Sequence, residues 1–150
     1  MGKLLLVIDM LNNNLKWCRE ELEMTQKELG YVFGVHETTI SGWETGKDTV
    51  PLKKLIKFCN LYNYSLDFAI GLSRQDDKHP NIDKVDKKKI GSNLKRIRNK
   101  LNLTQQEIAN ECMISQTTYS NYELGLYLIN TLSLYTICKK HKLSMYDILK

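Results

Sequence analysis

The sequence predicts an all-α protein made of two tandem five-helix domains joined by a polar linker. Three observations carry that expectation. Shifted by 79 residues, the chain aligns on itself without a gap: residues 11–71 lie over residues 90–150, with 16 of 61 positions identical. Apolar residues recur at helical spacing in both copies, and no alternating run suggests a strand, except a possible short one at Leu4–Ile8. Helix start and stop residues fall at matching places in the two copies. The expected layout is a first domain over residues 1–72, a linker over 73–86 and a second domain over 87–150.

Each element has its own warrant. Leu11, Leu15, Cys18 and Leu22 share one face of a first helix, and Ile90, Leu94, Ile97 and Leu101 repeat that face. Thr25 and Thr104 then stand at N-cap positions, with Glu28 and Glu107 three residues later. That spacing predicts a capping box in both copies. The second helix is short and breaks near Gly34 or Met113. His36 and Ser115 open a third helix, which stops at Gly46 and Gly125, where glycine can take the left-handed conformation. A fourth helix spans roughly Leu52–Tyr62 and Leu132–His141, and a fifth starts at Ser65 and Ser144. Trp43, Phe58, Tyr119 and Tyr122 would supply much of the core. Between the copies, Ser73 to Lys89 is rich in charge and reads as a solvated linker running into the next helix.

Composition narrows the function classes. The chain has 150 residues, 42% hydrophobic and 26% charged, which suits an ordinary soluble protein. Its longest apolar run, Leu4 to Ile8, is too short for a membrane span or a signal-peptide core, so the expected location is cytoplasmic and no membrane partner is expected. Cys18, Cys59, Cys112 and Cys138 are isolated and read as core fillers. They and the scattered histidines lack metal-ligand spacing, so neither a metal nor a cofactor is expected. No nucleophile–base constellation or glycine-rich phosphate loop marks an enzyme. The formal charge of +5 lies wholly in residues 76–150, while residues 1–75 net zero. A basic half suits a polyanionic partner or merely a soluble surface.

The stretch Thr104-Gln105-Gln106-Glu107-Ile108-Ala109, followed by Ser115-Gln116-Thr117-Thr118-Tyr119-Ser120-Asn121-Tyr122-Glu123, resembles the phage-repressor-like helix-turn-helix family (Cro/repressor, or XRE). The first copy shows the same frame in Thr25-Gln26-Lys27-Glu28-Leu29 and Thr38-Thr39-Ile40-Ser41-Gly42-Trp43-Glu44-Thr45-Gly46-Lys47. The resemblance covers nearly everything but residues 1–9 and the linker. It implies a lambda-repressor-like fold in which the second and third helices read double-stranded DNA, the third entering the major groove. By that resemblance Gln116 holds the most informative position. Its amide can pair with adenine N6 and N7, while Thr117 can meet a thymine methyl. Asn121 could read a further base. Gln105, Ser115, Thr118 and Ser120 would serve as phosphate or supporting contacts.

The first copy departs from this pattern. Glu37 stands where Gln116 does, and Gly42 where Asn121 does. Its remaining candidates are Gln26, Thr38, Thr39, Ser41 and Lys47. In the second copy the family's basic residues after the third helix are replaced by Leu126, Tyr127 and Leu128. The resemblance also implies buried structural ion pairs, Arg19 with Glu44 and Arg98 with Glu123.

The expected function is sequence-specific DNA binding as a transcriptional regulator, with no separate ligand-binding domain. One chain could act as a pseudo-dimer on two half-sites about 34 Å apart. Alternatively one copy reads DNA and the other pairs chains as a homodimer. A second class of reading is a protein-interaction module, antitoxin-like or anti-repressor. Glu37, the neutral first half and the apolar Leu126–Leu128 loop favour it.

Overall fold

The computed structural model describes residues 13–150. The possible strand at Leu4–Ile8 and the helical position Leu11 lie outside the described residues. The chain divides into two compact units, one ending at Asn81 and the other beginning at Ile82.

The first unit holds α1 (Leu15–Glu21), α2 (Gln26–Phe33), α3 (Glu37–Glu44), α4 (Leu52–Tyr62) and α5 (Leu66–Ile70). The second holds α6 (Lys87–Lys100), α7 (Gln105–Glu111), α8 (Gln116–Glu123), α9 (Thr131–His141) and α10 (Met145–Leu149). Every described regular element is a helix. None is long and apolar enough to cross a membrane.

Local chemistry sets these boundaries. Thr25 and Thr104 each close a capping box: the hydroxyl accepts from the third backbone N–H, and Glu28 or Glu107 accepts from the cap N–H. That satisfies two donors otherwise left unpaired at a helix start. Serine or asparagine caps start α5, α8, α9 and α10, and Asp86 caps α6 through the N–H groups of Lys88 and Lys89. His36 caps α3 with a ring nitrogen in place of a hydroxyl, accepting from the Thr38 N–H. Left-handed residues recur at the repeat spacing. Glu23 matches Asn102, Asn63 matches Lys142, and Gly34 matches Met113.

Each unit has its own core. In the first, Phe33, Trp43, Phe58 and Tyr64 form a run of ring contacts at 5.1–5.9 Å. Each such side chain contributes about 1.5–3 kcal/mol by its burial. In the second, Ile90, Leu94, Ile108, Tyr119, Leu134, Tyr135 and Ile148 are buried, an aliphatic core with tyrosines at its polar edge. The Tyr119 hydroxyl is buried beside Glu123, and burial raises its pKa above the usual phenol range.

The polar stretch after Leu72 is not a free tether throughout. Asp76 Oδ1 accepts from the Ser65 N–H at 2.7 Å, and His79 Nε2 accepts from the Leu66 N–H at 3.0 Å. Both are donors at the start of α5 with no partner inside that helix. Residues 73–79 therefore belong physically to the first unit, beyond the end at residue 72 that composition suggested. Charge density marks solvent exposure, but it does not reveal that two of those side chains serve as caps.

Candidate nucleic-acid interface

The second unit builds its candidate reading surface from α7 and α8. Met113 turns the chain with a φ of 58°, and the Ile114 N–H donates to the Ala109 carbonyl at 3.1 Å. Ser115 then accepts from the Thr118 N–H at 3.1 Å and bonds the Thr118 hydroxyl at 2.9 Å. Both hydroxyls are thus engaged in starting α8.

Four side chains connect the core to the start of α8. Arg98 Nε donates to Glu123 Oε1 at 2.6 Å, and Nη2 donates to Oε2 at 3.2 Å. Its Nη1 donates to the Leu103 carbonyl at 2.9 Å. Gln105 Nε2 donates to Glu123 Oε2 at 2.8 Å. That contact fixes the Gln105 amide with its oxygen turned away from the pair, where it accepts from Gln116 Nε2 at 3.4 Å. Burial alone would raise the Glu123 carboxyl. Hydrogen bonds from Arg98 and Gln105, with the guanidinium charge, outweigh it and hold the group below the usual carboxylate range. Gln116 is exposed and keeps its carbonyl oxygen and one N–H uncommitted, the acceptor and donor that adenine's N6 and N7 require.

Thr117 is exposed, and Ser120 and Asn121 are half-buried. No carboxylate competes at this face. Glu107 is spent on its capping box, Glu111 on Lys140 and His141, and Glu123 on Arg98. The loop beyond α8 exposes Leu124, Leu126 and Tyr127 to roughly three-fifths of their surface.

The first unit repeats the ion pair and alters the face. Arg19 Nε donates to Glu44 Oε2 at 2.6 Å, and Gln26 Nε2 donates to Glu44 Oε1 at 3.1 Å. At the start of α3, Glu37 is exposed, while Thr38 is held by His36 through both its N–H and its hydroxyl. Where the second unit has Asn121, Gly42 leaves a gap that Asp48 covers. A Cβ placed on Gly42 would sit 3.3 Å from Asp48 Oδ2, and the Asp48 N–H donates to the Gly42 carbonyl at 3.1 Å. This face therefore presents two carboxylates, Glu37 and Asp48, with Lys47 exposed nearby. Thr39 and Ser41 are half-buried.

Sequence reasoning named Glu37 and Gly42 but missed Asp48, because nothing in residue order shows that a loop aspartate folds back over a glycine. It also missed that each glutamine is the third partner of its ion pair. The available signal was the constant Gln–Glu spacing of 18 residues in both copies.

All four cysteines are reduced and buried. Burial pushes the Cys18 and Cys112 thiols up to about 12, far from the thiolate that reactivity or metal binding needs. No cluster of possible metal ligands occurs among the described residues.

A short helix, a tight turn and a second helix with an outward N-terminal face define a helix-turn-helix protein. Family comparison agrees twice over. A helix-turn-helix model matches residues 15–68, and a helix-turn-helix domain model matches residues 91–150. The chain therefore carries two helix-turn-helix domains in tandem. Two relatives from Bacillus subtilis (strain 168) carry the description uncharacterized HTH-type transcriptional regulator. YobD is 28% identical over 81 residues, 54% of this chain and 70% of that protein. YqaE is 30% identical over 61 residues, 41% of this chain and 53% of that protein. This chain thus spans only about half the length of the second. No solved structure matches the chain significantly.

Proposed function

We propose that this protein is a sequence-specific, double-stranded-DNA-binding transcriptional regulator and that its second unit does the reading. The observation that carries this is the Gln105–Gln116 pair, anchored through Glu123 to Arg98. A long amide side chain on a surface normally loses rotamer freedom when it binds. Here one end of the reading amide is already oriented by a buried charge pair. Thr117 and Asn121 extend the same face. Regulation would follow from occupying or recruiting at a promoter; both relatives are described as transcriptional regulators.

The first unit favours a different role. Phosphate opposes the negative charges of Glu37 and Asp48, although a lone glutamate can accept from cytosine N4. We assign it to contacts between chains or with a partner protein, within a regulator whose second unit holds the DNA.

Selection of bound duplexes from a random pool tests this. One enriched half-site per chain is the expected result. Two different half-sites would return the first unit to DNA reading. No enrichment would remove the regulator assignment in favour of the protein-interaction reading.

A further inference from the structure

The two helix-turn-helix segments are short of positive charge. Thr104–Glu123 contains no lysine or arginine and three glutamates, and Thr25–Glu44 contains one lysine and three glutamates. Phosphate contacts dominate DNA affinity, so the cations have to come from elsewhere. They are concentrated in α6. Lys87–Lys100 carries seven basic residues and no acidic one, whereas the rest of residues 76–150 carries six against eight acids.

Arg98 is spent on Glu123. The other six cations of α6 make no ion pair among the described residues. Two of them, Lys88 and Lys95, border the reading helix. A Cβ on Gly91 would meet the Tyr122 and Glu123 carbonyls at 2.5 Å, so α6 lies against the C-terminal end of α8. Lys88 and Lys95 flank Gly91 at i−3 and i+4 and so border that contact. Lys88 also backs onto Gly125, where an added Cβ would stand 2.7 Å from its Cα. Lys89, Arg96 and Lys100 continue the exposed strip away from α8. From Lys88 to Lys100 the strip runs about 18 Å, the rise of about five phosphates on one strand. The first unit has no equivalent. The positions matching Lys95, Arg96, Asn99 and Lys100 are Lys16, Trp17, Glu20 and Glu21.

We propose that the solvent face of α6, through Lys88, Lys89, Lys95, Arg96 and Lys100, grips the phosphate backbone of duplex DNA beside the stretch α8 reads. It supplies the sequence-independent affinity that the reading segments lack. This rests on the second unit being the DNA-binding one.

The test is the double variant Arg96→Gln, Lys100→Gln and the triple variant that adds Lys95→Gln, in the full chain, with Lys139→Gln, Lys142→Gln as the charge-matched control for the double variant. All five side chains are exposed, and unchanged thermal unfolding verifies that the fold survives. Binding is titrated against salt on the selected duplex and on a scrambled one. The expected result is a slope of log affinity on log salt shallower by about 2–3, at about 0.9 per phosphate contact. Affinity should fall by the same factor on both duplexes, with the control near wild type. A wild-type sequence preference with an unchanged slope in the triple variant overturns the inference and leaves the regulator assignment standing. A slope flattened equally by the control overturns it as well, since net charge then explains the effect. A steep, α6-dependent slope without sequence preference supports the inference and overturns the base-reading assignment. No duplex affinity in the wild type overturns both.

Discussion

The two units hold the same arginine–glutamate–glutamine cluster in the same geometry and differ in what stands outside it. In the second unit the cluster continues outward through Gln105 to Gln116. In the first, Gln26 reaches Glu44, but the residue at the outer position is Glu37, and Asp48 lies over Gly42. The difference shows that the cluster is a structural device first. It ties the first helix of each unit to the end of the third whether or not the outer face can read DNA.

The largest expected effect tests the shared part. Arg98→Ala or Arg19→Ala leaves a nearly buried carboxylate without its partner and should cost its unit about 3–5 kcal/mol. Denaturant unfolding with probes in each unit measures this. A loss under about 1 kcal/mol in either unit would mean that the pair is not needed for folding there.

Acid should separate the same bond from its neighbours. Glu123 has its pKa held below the unfolded value of about 4.5. Its contribution is present above that value and is lost as pH falls through the lower, folded one. The second unit should therefore lose stability on acidification below about pH 4.5, and Glu123→Gln should remove that part of the pH dependence. Unfolding midpoints collected from pH 6 down to pH 3 decide it.

The next effect breaks the comparison at the outer face. Gln116→Ala should reduce discrimination at one base pair by about 1–3 kcal/mol. Glu37→Gln at the matching position should leave sequence preference unchanged. Competition binding against single-base operator variants measures both. A change of preference from Glu37→Gln would show that the first unit reads DNA after all.

The smallest effect concerns the turn between the two helices. Met113 takes the left-handed conformation that Gly34 takes in the first unit. Met113→Gly should stabilise the second unit by up to about 1 kcal/mol, the relief of the Cβ clash less the added unfolded-state freedom. Gly34→Ala should destabilise the first by about 1 kcal/mol. An added Cβ at Gly34 meets nothing within 4 Å, so any loss there reports backbone conformation alone. Thermal melts of the two variants give the signs.

Much of this molecule was legible in residue order. Both capping boxes, the helix breaks near Gly34 and Met113, the left-handed stops at Gly46 and Gly125, the third-helix starts and the buried aromatic residues are local matters of spacing and side-chain chemistry. The repeat doubled each signal. The fastening of residues 73–79 was not legible, because Asp76 and His79 act on donors 11 and 13 residues away.

By itself the sequence determined the two-copy plan and the helices, because caps and hydrophobic periodicity act within a turn or two and the repeat states each of them twice; the candidate reading positions are what the family resemblance implies. Only the tertiary structure decided which of those positions are free. It committed Ser115 and Thr118 to a cap, aimed Gln105 at Gln116, laid Asp48 over Gly42 and set α6 against the end of α8. Each of those outcomes is a contact between side chain or backbone groups whose direction depends on how helices pack. Packing joins residues whose separation along the chain carries no signal.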